Sequence, residues 1–241
     1  MKLLLNKNEF VNNVLGPVSK LAENLLIDFQ QVGDSWRAKT IVNSSDNSVI
    51  LLADIPCQVK EPFKCVIPDC KTFLRLFSGI EEDIINLTID SNVIKYKDGN
   101  FSFKYHLLDE SYVVNRKALS EEKLNGLKFD TEFIITKQKF SEIIKFNSIV
   151  PDAEKLYFTS EGTNITAKLG DELKSNTNEI VTQVSSAFEG IPLAGTFPIN
   201  IQHILLFSFN TDSINVKLNQ QLKVFKFESK HLSYVVSGLV K

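Results

Sequence analysis

Apolar positions along the first half of the chain alternate between two periods. Leu3-Leu4-Leu5 is a short apolar run fit for a strand, and Asn6 with Glu9 three residues on is a capping pair that opens a helix. Phe10, Val11, Val14, Leu15 and Val18 then recur at helical spacing, with Asn12, Asn13, Gly16 and Lys20 on the other side. Pro17 has no N–H to give Asn13, so the pattern predicts a kink or an end at Gly16-Pro17. Period two takes over in predicted strands Asn24–Gln31, Trp36–Asn43, Ser48–Asp54 and Phe63–Val66, broken by turn signals at Gly33-Asp34 and Ser45-Asp46-Asn47. A second helix, Asp69–Gly79, turns Phe73, Leu74, Leu76 and Phe77 inward and Lys71, Arg75 and Ser78 outward. Strands Ile84–Ile89 and Val93–Tyr96 follow. The Asp98-Gly99 hairpin turn then leads into Phe101, Phe103 and Tyr105, which alternate with polar residues as in a half-buried strand.

The second half repeats this pattern at an offset of 130 residues. Leu3-Leu4-Leu5-Asn6-Lys7 with Phe10 lies over Phe133-Ile134-Ile135-Thr136-Lys137 with Phe140. Pro68 lies over Pro198, Phe77-Ser78 over Phe207-Ser208, Ile85-Asn86-Leu87 over Ile214-Asn215-Val216, and Phe101-Ser102-Phe103 over Leu232-Ser233-Tyr234. The repeat places a third helix at Lys137–Ser148, strands at Lys155–Thr159, Asn164–Leu169 and Glu179–Ser185, and a fourth helix at Ile199–Phe209, apolar nearly all round. Between the copies, His106–Leu127 is polar and charged apart from Tyr112-Val113-Val114. The expected organisation is α+β: two tandem domains, 1–108 and 129–241, joined by a connector at 109–128, each with helices on one side of antiparallel sheets.

Charge and chemistry narrow the function. A formal net charge of -2 makes any nucleic-acid contact the work of a local positive patch. His106, His203 and His231 stand apart with no metal-protease spacing. Gly190-Ile191-Pro192-Leu193-Ala194-Gly195-Thr196 has phosphate-loop glycines but no lysine before Thr196, and reads as a turn. Glu81-Glu82-Asp83 and Glu121-Glu122 fall in turn or linker segments. The chain therefore reads as a non-enzyme with no cofactor. Cys57, Cys65 and Cys70 lack CxxC spacing and read as buried thiols of a reducing compartment, with no metal site. The opening apolar run is too short for a signal peptide and no apolar run reaches membrane length, so a cytoplasmic protein with no membrane partner is expected.

Four stretches resemble one family: the Met1-Lys2-Leu3 strand and its helix; Phe73-Leu74-x-Leu76-Phe77 running into an acidic turn; Asp109-Glu110-Ser111-Tyr112-Val113-Val114 followed by Thr131-Glu132; and Val224-x-Lys226-Phe227-Glu228-x-x-His231-x-x-Tyr234-Val235-Val236. Together they resemble the DNA polymerase sliding clamps, those of T-even-type bacteriophages above all and proliferating cell nuclear antigen more distantly. The resemblance implies two clamp domains per chain, helices on the inner face of a ring and sheets on the outer face. A ring of six domains then needs a homotrimer. It implies double-stranded DNA threaded without base recognition, a replicative DNA polymerase held as client, and an ATP-driven clamp loader. If phage-encoded, such a protein works in the host bacterial cytoplasm.

Carried onto this chain, the resemblance implies that Lys7, Asn12, Asn13, Lys20, Lys71, Arg75, Lys137, Lys139, Lys145, Gln202 and His203 face the DNA. Lysine and asparagine suit sequence-blind phosphate contact. Leu205 stands where the repeat has Arg75, which leaves the fourth helix without that cation. The subunit interface falls on Phe101, Phe103 and Tyr105 against Ile180, Thr182 and Val184. The partner-peptide pocket falls on Ile41, Val42, Tyr112, Val113, Val114, Val236 and Leu239. Two other readings are a clamp-like DNA-binding accessory that forms no ring, as monomer or dimer, and a two-domain binding protein unrelated to replication.

Overall fold

The computed structural model describes residues 1–99, 101–112, 121–171 and 178–239. The chain divides into two compact units, Met1–Leu119 and Ser120–Lys241. In the first, β1 (Lys2–Asn6) leads into α1 (residues 7–21). Next come β2 (Leu25–Val32), β3 (Ser35–Asn43), β4 (Val49–Gln58) and β5 (Phe63–Ile67), then α2 (Cys70–Ser78). The hairpin strands β6 (Ile84–Asp90), β7 (Val93–Asp98) and β8 (Phe101–His106) complete the unit, and a short 3-10 turn, Glu110–Tyr112, follows. All its strand pairs are antiparallel, in the order β5-β2-β3-β4-β1-β6-β7-β8.

Asn6 caps α1 as its sequence predicts, accepting the Glu9 N–H at 3.0 Å. The helix does not stop at Pro17. Its middle turn, Val11–Leu15, widens into a π turn in which the Gly16 N–H donates to the Val11 carbonyl. Pro17 then sits in the first turn of the closing segment, Gly16–Leu21. The irregular ladder just before the proline is where its missing N–H and its ring are accommodated, a common accompaniment of proline within a helix. Gly16 is required by the close approach, because a Cβ would lie 2.9 Å from the Val11 oxygen. The core beneath is aromatic: Phe10 meets Phe77 at 5.1 Å, and Phe77 meets Phe73 at 4.8 Å between ring centroids. Burying each such ring contributes roughly 1.5–3 kcal/mol.

The second unit opens with a helical turn, α3 (Glu121–Asn125), then β9 (Thr131–Thr136) and α4 (Lys137–Ile149). Strands β10 (Lys155–Glu161), β11 (Asn164–Gly170), β12 (Ile180–Ser185), β13 (Phe188–Gly190) and β14 (Phe197–Asn200) precede α5 (Ile201–Leu205). Last come β15 (Ser213–Asn219), β16 (Val224–Glu228) and β17 (Leu232–Ser237). Two sheets result, β13-β9-β15-β16-β17 and β12-β11-β10-β14.

The sequence repeat is a repeat of hydrogen bonds. The Lys7 N–H donates to the Asp83 carbonyl at 2.8 Å, and the Lys137 N–H to the Asp212 carbonyl at 2.8 Å. Cys70 and Ile201, the first residues of α2 and α5, donate to the Glu23 and Glu154 carbonyls at 2.8 and 3.0 Å. Leu5 pairs with Ile85 on neighbouring strands, as Ile135 does with Ile214.

The fourth predicted helix, Ile199–Phe209, shrinks to Ile201–Leu205. Its first residues are claimed by β14, where Pro198 pairs with Tyr157 and Ile199 with Leu156. Proline is tolerated because β14 ends its sheet. At the other end, the Leu206 and Phe207 N–H groups fold back to the His203 and Ile204 carbonyls, a tightening that closes a helix. Phe207 then stacks on Tyr234 at 4.2 Å. Among the described residues, no helix is long and apolar enough to cross a membrane, and no three His, Cys, Asp or Glu side chains group to hold a metal.

Candidate nucleic-acid interface

Helix α2 is amphipathic, with Phe73 and Phe77 buried and Lys71 and Arg75, one turn apart, exposed. Asp69 fixes its start by accepting the Thr72 N–H at 2.9 Å and the Thr72 hydroxyl at 2.6 Å. Those Thr72 bonds hold the Asp69 carboxyl below its ordinary pKa. The closing turn of α1 packs beside α2 and brings exposed Lys20 to the same place. Lys20, Lys71 and Arg75 thus line one open cleft of about 480 Å³ with Ser19, Thr72 and the carboxylates of Glu23 and Asp69. The spacing of apolar residues gave the three cations, but not the two acids at their rim. Asp69 is legible as a helix cap, whereas nothing in the sequence places Glu23 beside it.

The other residues assigned to DNA are dispersed. The Lys7 ammonium donates to the Ile80 carbonyl at 2.6 Å, so it serves the fold. Asn12 and Asn13 are half-buried in the π turn. In the second unit, Lys137 and Lys145 are exposed on α4, but Lys139 is paired with Glu142 at 2.8 Å. That ammonium, with Gln138 nearby, holds the Glu142 carboxyl below its ordinary range. Gln202 is exposed and His203 half-buried on α5, which contributes no lysine or arginine. The second unit therefore presents cations from one helix, where the first gathers them from two.

The remaining assigned residues divide by burial. On β8, Phe101 and Phe103 turn toward Tyr96, and Tyr105 is buried against Phe73, its hydroxyl donating to the Asp69 carbonyl at 3.0 Å. What β8 presents outward is Ser102, Lys104, His106 and its backbone, because it ends its run of strands. β12 likewise ends its sheet, with Ile180 and Thr182 half-buried, Val184 buried and Val181 exposed. Ile41 is half-buried on β3 and Val42 buried, while Val236 is buried on β17. Leu239 is half-buried and its N–H donates to the Pro198 carbonyl at 2.8 Å. Val113 and Val114 lie outside the described residues, and of Tyr112 only the backbone is described.

The same architecture occurs in solved structures. The chain aligns over its whole length with a structure described as the C-terminal region of FEN-1 bound to A. fulgidus PCNA, at a TM-score of 0.74 and 14% identity, spanning 98% of that chain. The chain has the sliding-clamp fold. A PCNA2-PCNA3 complex from Sulfolobus tokodaii matches at a TM-score of 0.72 and 13% identity, covering 99% of both chains. The DNA polymerase III beta chain of Streptococcus pneumoniae matches at 0.73 and 13% identity over all of this chain but 65% of its own. The clamp fold here thus has the length of the PCNA chains and about two thirds that of the bacterial one. No protein-family model and no curated protein matches the chain.

Proposed function

We propose that this protein is a sliding clamp: a non-catalytic ring that encircles double-stranded DNA and tethers a replicative DNA polymerase, placed there by an ATP-driven loader. The observation that carries the reading is the full-length match to two-domain PCNA chains. The cleft that gathers Lys20, Lys71 and Arg75 adds a surface for diffuse phosphate contact. Ring closure is a head-to-tail homotrimer made by β8 of one chain and β12 of the next. Both strands have six residues and both end their sheets, and an uncovered strand edge calls for a partner. Clients dock by an apolar peptide on the segment containing Tyr112-Val113-Val114, with Ile41, Val42, Val236 and Leu239 as its surroundings. The sequence resemblance points to the phage branch of the family.

The test is topological. With its cognate loader and ATP, the protein should stay on a closed circular duplex through gel filtration and fall off once the circle is cut. Equal loss from circular and linear DNA would favour an accessory protein that binds DNA without encircling it.

A further inference from the structure

The two units differ in one strand that borders a groove of the second. β4 runs unbroken from its pairing with β3 to its pairing with β1. Its counterpart is cut in two: β12 pairs with β11, the chain leaves the sheet at Ser186-Ala187, and β13 resumes against β9. An open groove of about 550 Å³ lies at this break, over the solvent face of β9, β15 and the end of β16. Ile134 stands in it, 57% exposed, with Phe188 half-buried beside the break.

Carboxylates surround that apolar patch. Glu189 on β13 stands directly across from Glu132 on β9, a like-charged pair that is unfavourable when unmet. Glu132 accepts from the Asn215 amide and lies 3.8 Å from the Lys217 ammonium. Glu228 has both Lys217 and Lys226, at 2.7 and 2.6 Å. Glu189 has no ion-pair partner among the described residues, and Lys230, which also lines the groove, comes from the far side of β15. The buried Oδ1 of Asn215 accepts no hydrogen bond from the described residues.

We propose that this groove docks a short extended peptide bearing a basic side chain and, two residues on, an apolar one. Glu132 and Ile134 are two residues apart on one face of β9, about 7 Å, and an extended ligand repeats at that same spacing. Its cation sits between Glu189 and Glu132 and its apolar side chain covers Ile134. β13 ends its sheet, so one side of its backbone is open to pair with the ligand. This site lies on strands of the second unit alone and does not depend on the clamp reading.

The test uses the full chain and a fluorescein-labelled peptide of repeating Arg-Ser-Ile-Ser, followed by anisotropy. Saturable binding is expected, with Kd raised at least tenfold by Ile134→Ser and by Glu189→Lys. Glu81→Lys, the same charge change in the first unit, leaves Kd within twofold. A peptide with Glu for Arg does not bind. Glu189→Gln, which keeps size, gives an intermediate loss, and amide shifts of the wild-type protein map to residues 132–134 and 186–189 even if a variant fails to fold. The proposal is overturned if the wild type shows no saturable binding, if both groove variants bind as it does, or if Glu81→Lys weakens binding equally.

Discussion

Two copies of one scaffold differ most where a single strand is continuous in one and broken in the other. In the first unit β4 takes ten residues, Val49–Gln58, and couples β3 to β1. In the second, β12 and β13 divide that work and leave Ser186-Ala187 between them. The helices differ too: α2 has nine residues and two exposed cations, while α5 has five and none. What both units keep is the hydrogen bonding that starts each helix and the aromatic layer beneath it. The lesson is that the core and the caps define this domain, while edges and helix faces are free to specialise.

If the cores are equivalent, removing a ring from either should cost alike. Phe77→Ala and Phe207→Ala, at side chains 0% and 3% exposed, should each destabilise by about 3–5 kcal/mol in chemical denaturation. A cost below 1 kcal/mol in one unit alone would show that the aromatic layers are not equivalent.

In the second unit, β13 ends on Gly190. Its φ is +88°, and a Cβ would collide with the Asp130 carbonyl oxygen. Gly190→Ala should cost more than about 2 kcal/mol, left-handed backbone and collision together. Gly33→Ala, at a φ of +59° but in open space, should cost about 1 kcal/mol. Equal losses in thermal melts of the two variants would mean that the β13 loop yields freely.

The difference in helix charge predicts a difference in DNA affinity. Lys71→Glu with Arg75→Glu should weaken duplex association about tenfold at low salt and flatten its salt dependence. Gln202→Glu on α5 should change it less than twofold. Equal effects of the two changes would remove the asymmetry between the units.

The smallest expected effect is a pH effect at the caps. Asp69 caps α2 and Asn200 caps α5. The Asp69 pKa is lowered on folding, so its contribution is present above the unfolded value and lost as pH falls through the folded one. Asp69→Asn should therefore flatten the acid limb of the stability curve slightly, below about pH 4. Asn200→Asp should add a slight acid sensitivity of its own. An unchanged acid limb in Asp69→Asn would mean that the Thr72 bonds form in the unfolded chain as well.

Much of this was legible in the sequence, and the failures are physical. Period and capping residues gave α1, α2, α4 and most strands, and the offset gave the duplication. Of the two outcomes expected at Pro17, the helix end did not occur: the ladder widens into a π turn just before the proline and the helix continues. The Ile199–Phe209 helix failed because a run apolar nearly all round carries little period, and cross-strand pairing to β10 decided its fate. α3 lay hidden in a charged linker. Lys71 and Arg75 stood out on a helix face, but the engagement of Lys7 by Ile80 and of Lys139 by Glu142 depends on tertiary contacts that residue type does not reveal. The groove at β13 had no sequence signal beyond Ile134 and two glutamates.

The proposed ring of six domains stands or falls on the mass of the protein in solution. Light scattering across a micromolar concentration series should approach three times the chain mass of 27.2 kDa, with the trimer lost when β8 or β12 is blocked by proline. A mass that stays at one or two chains throughout, with duplex binding intact, would contradict the ring.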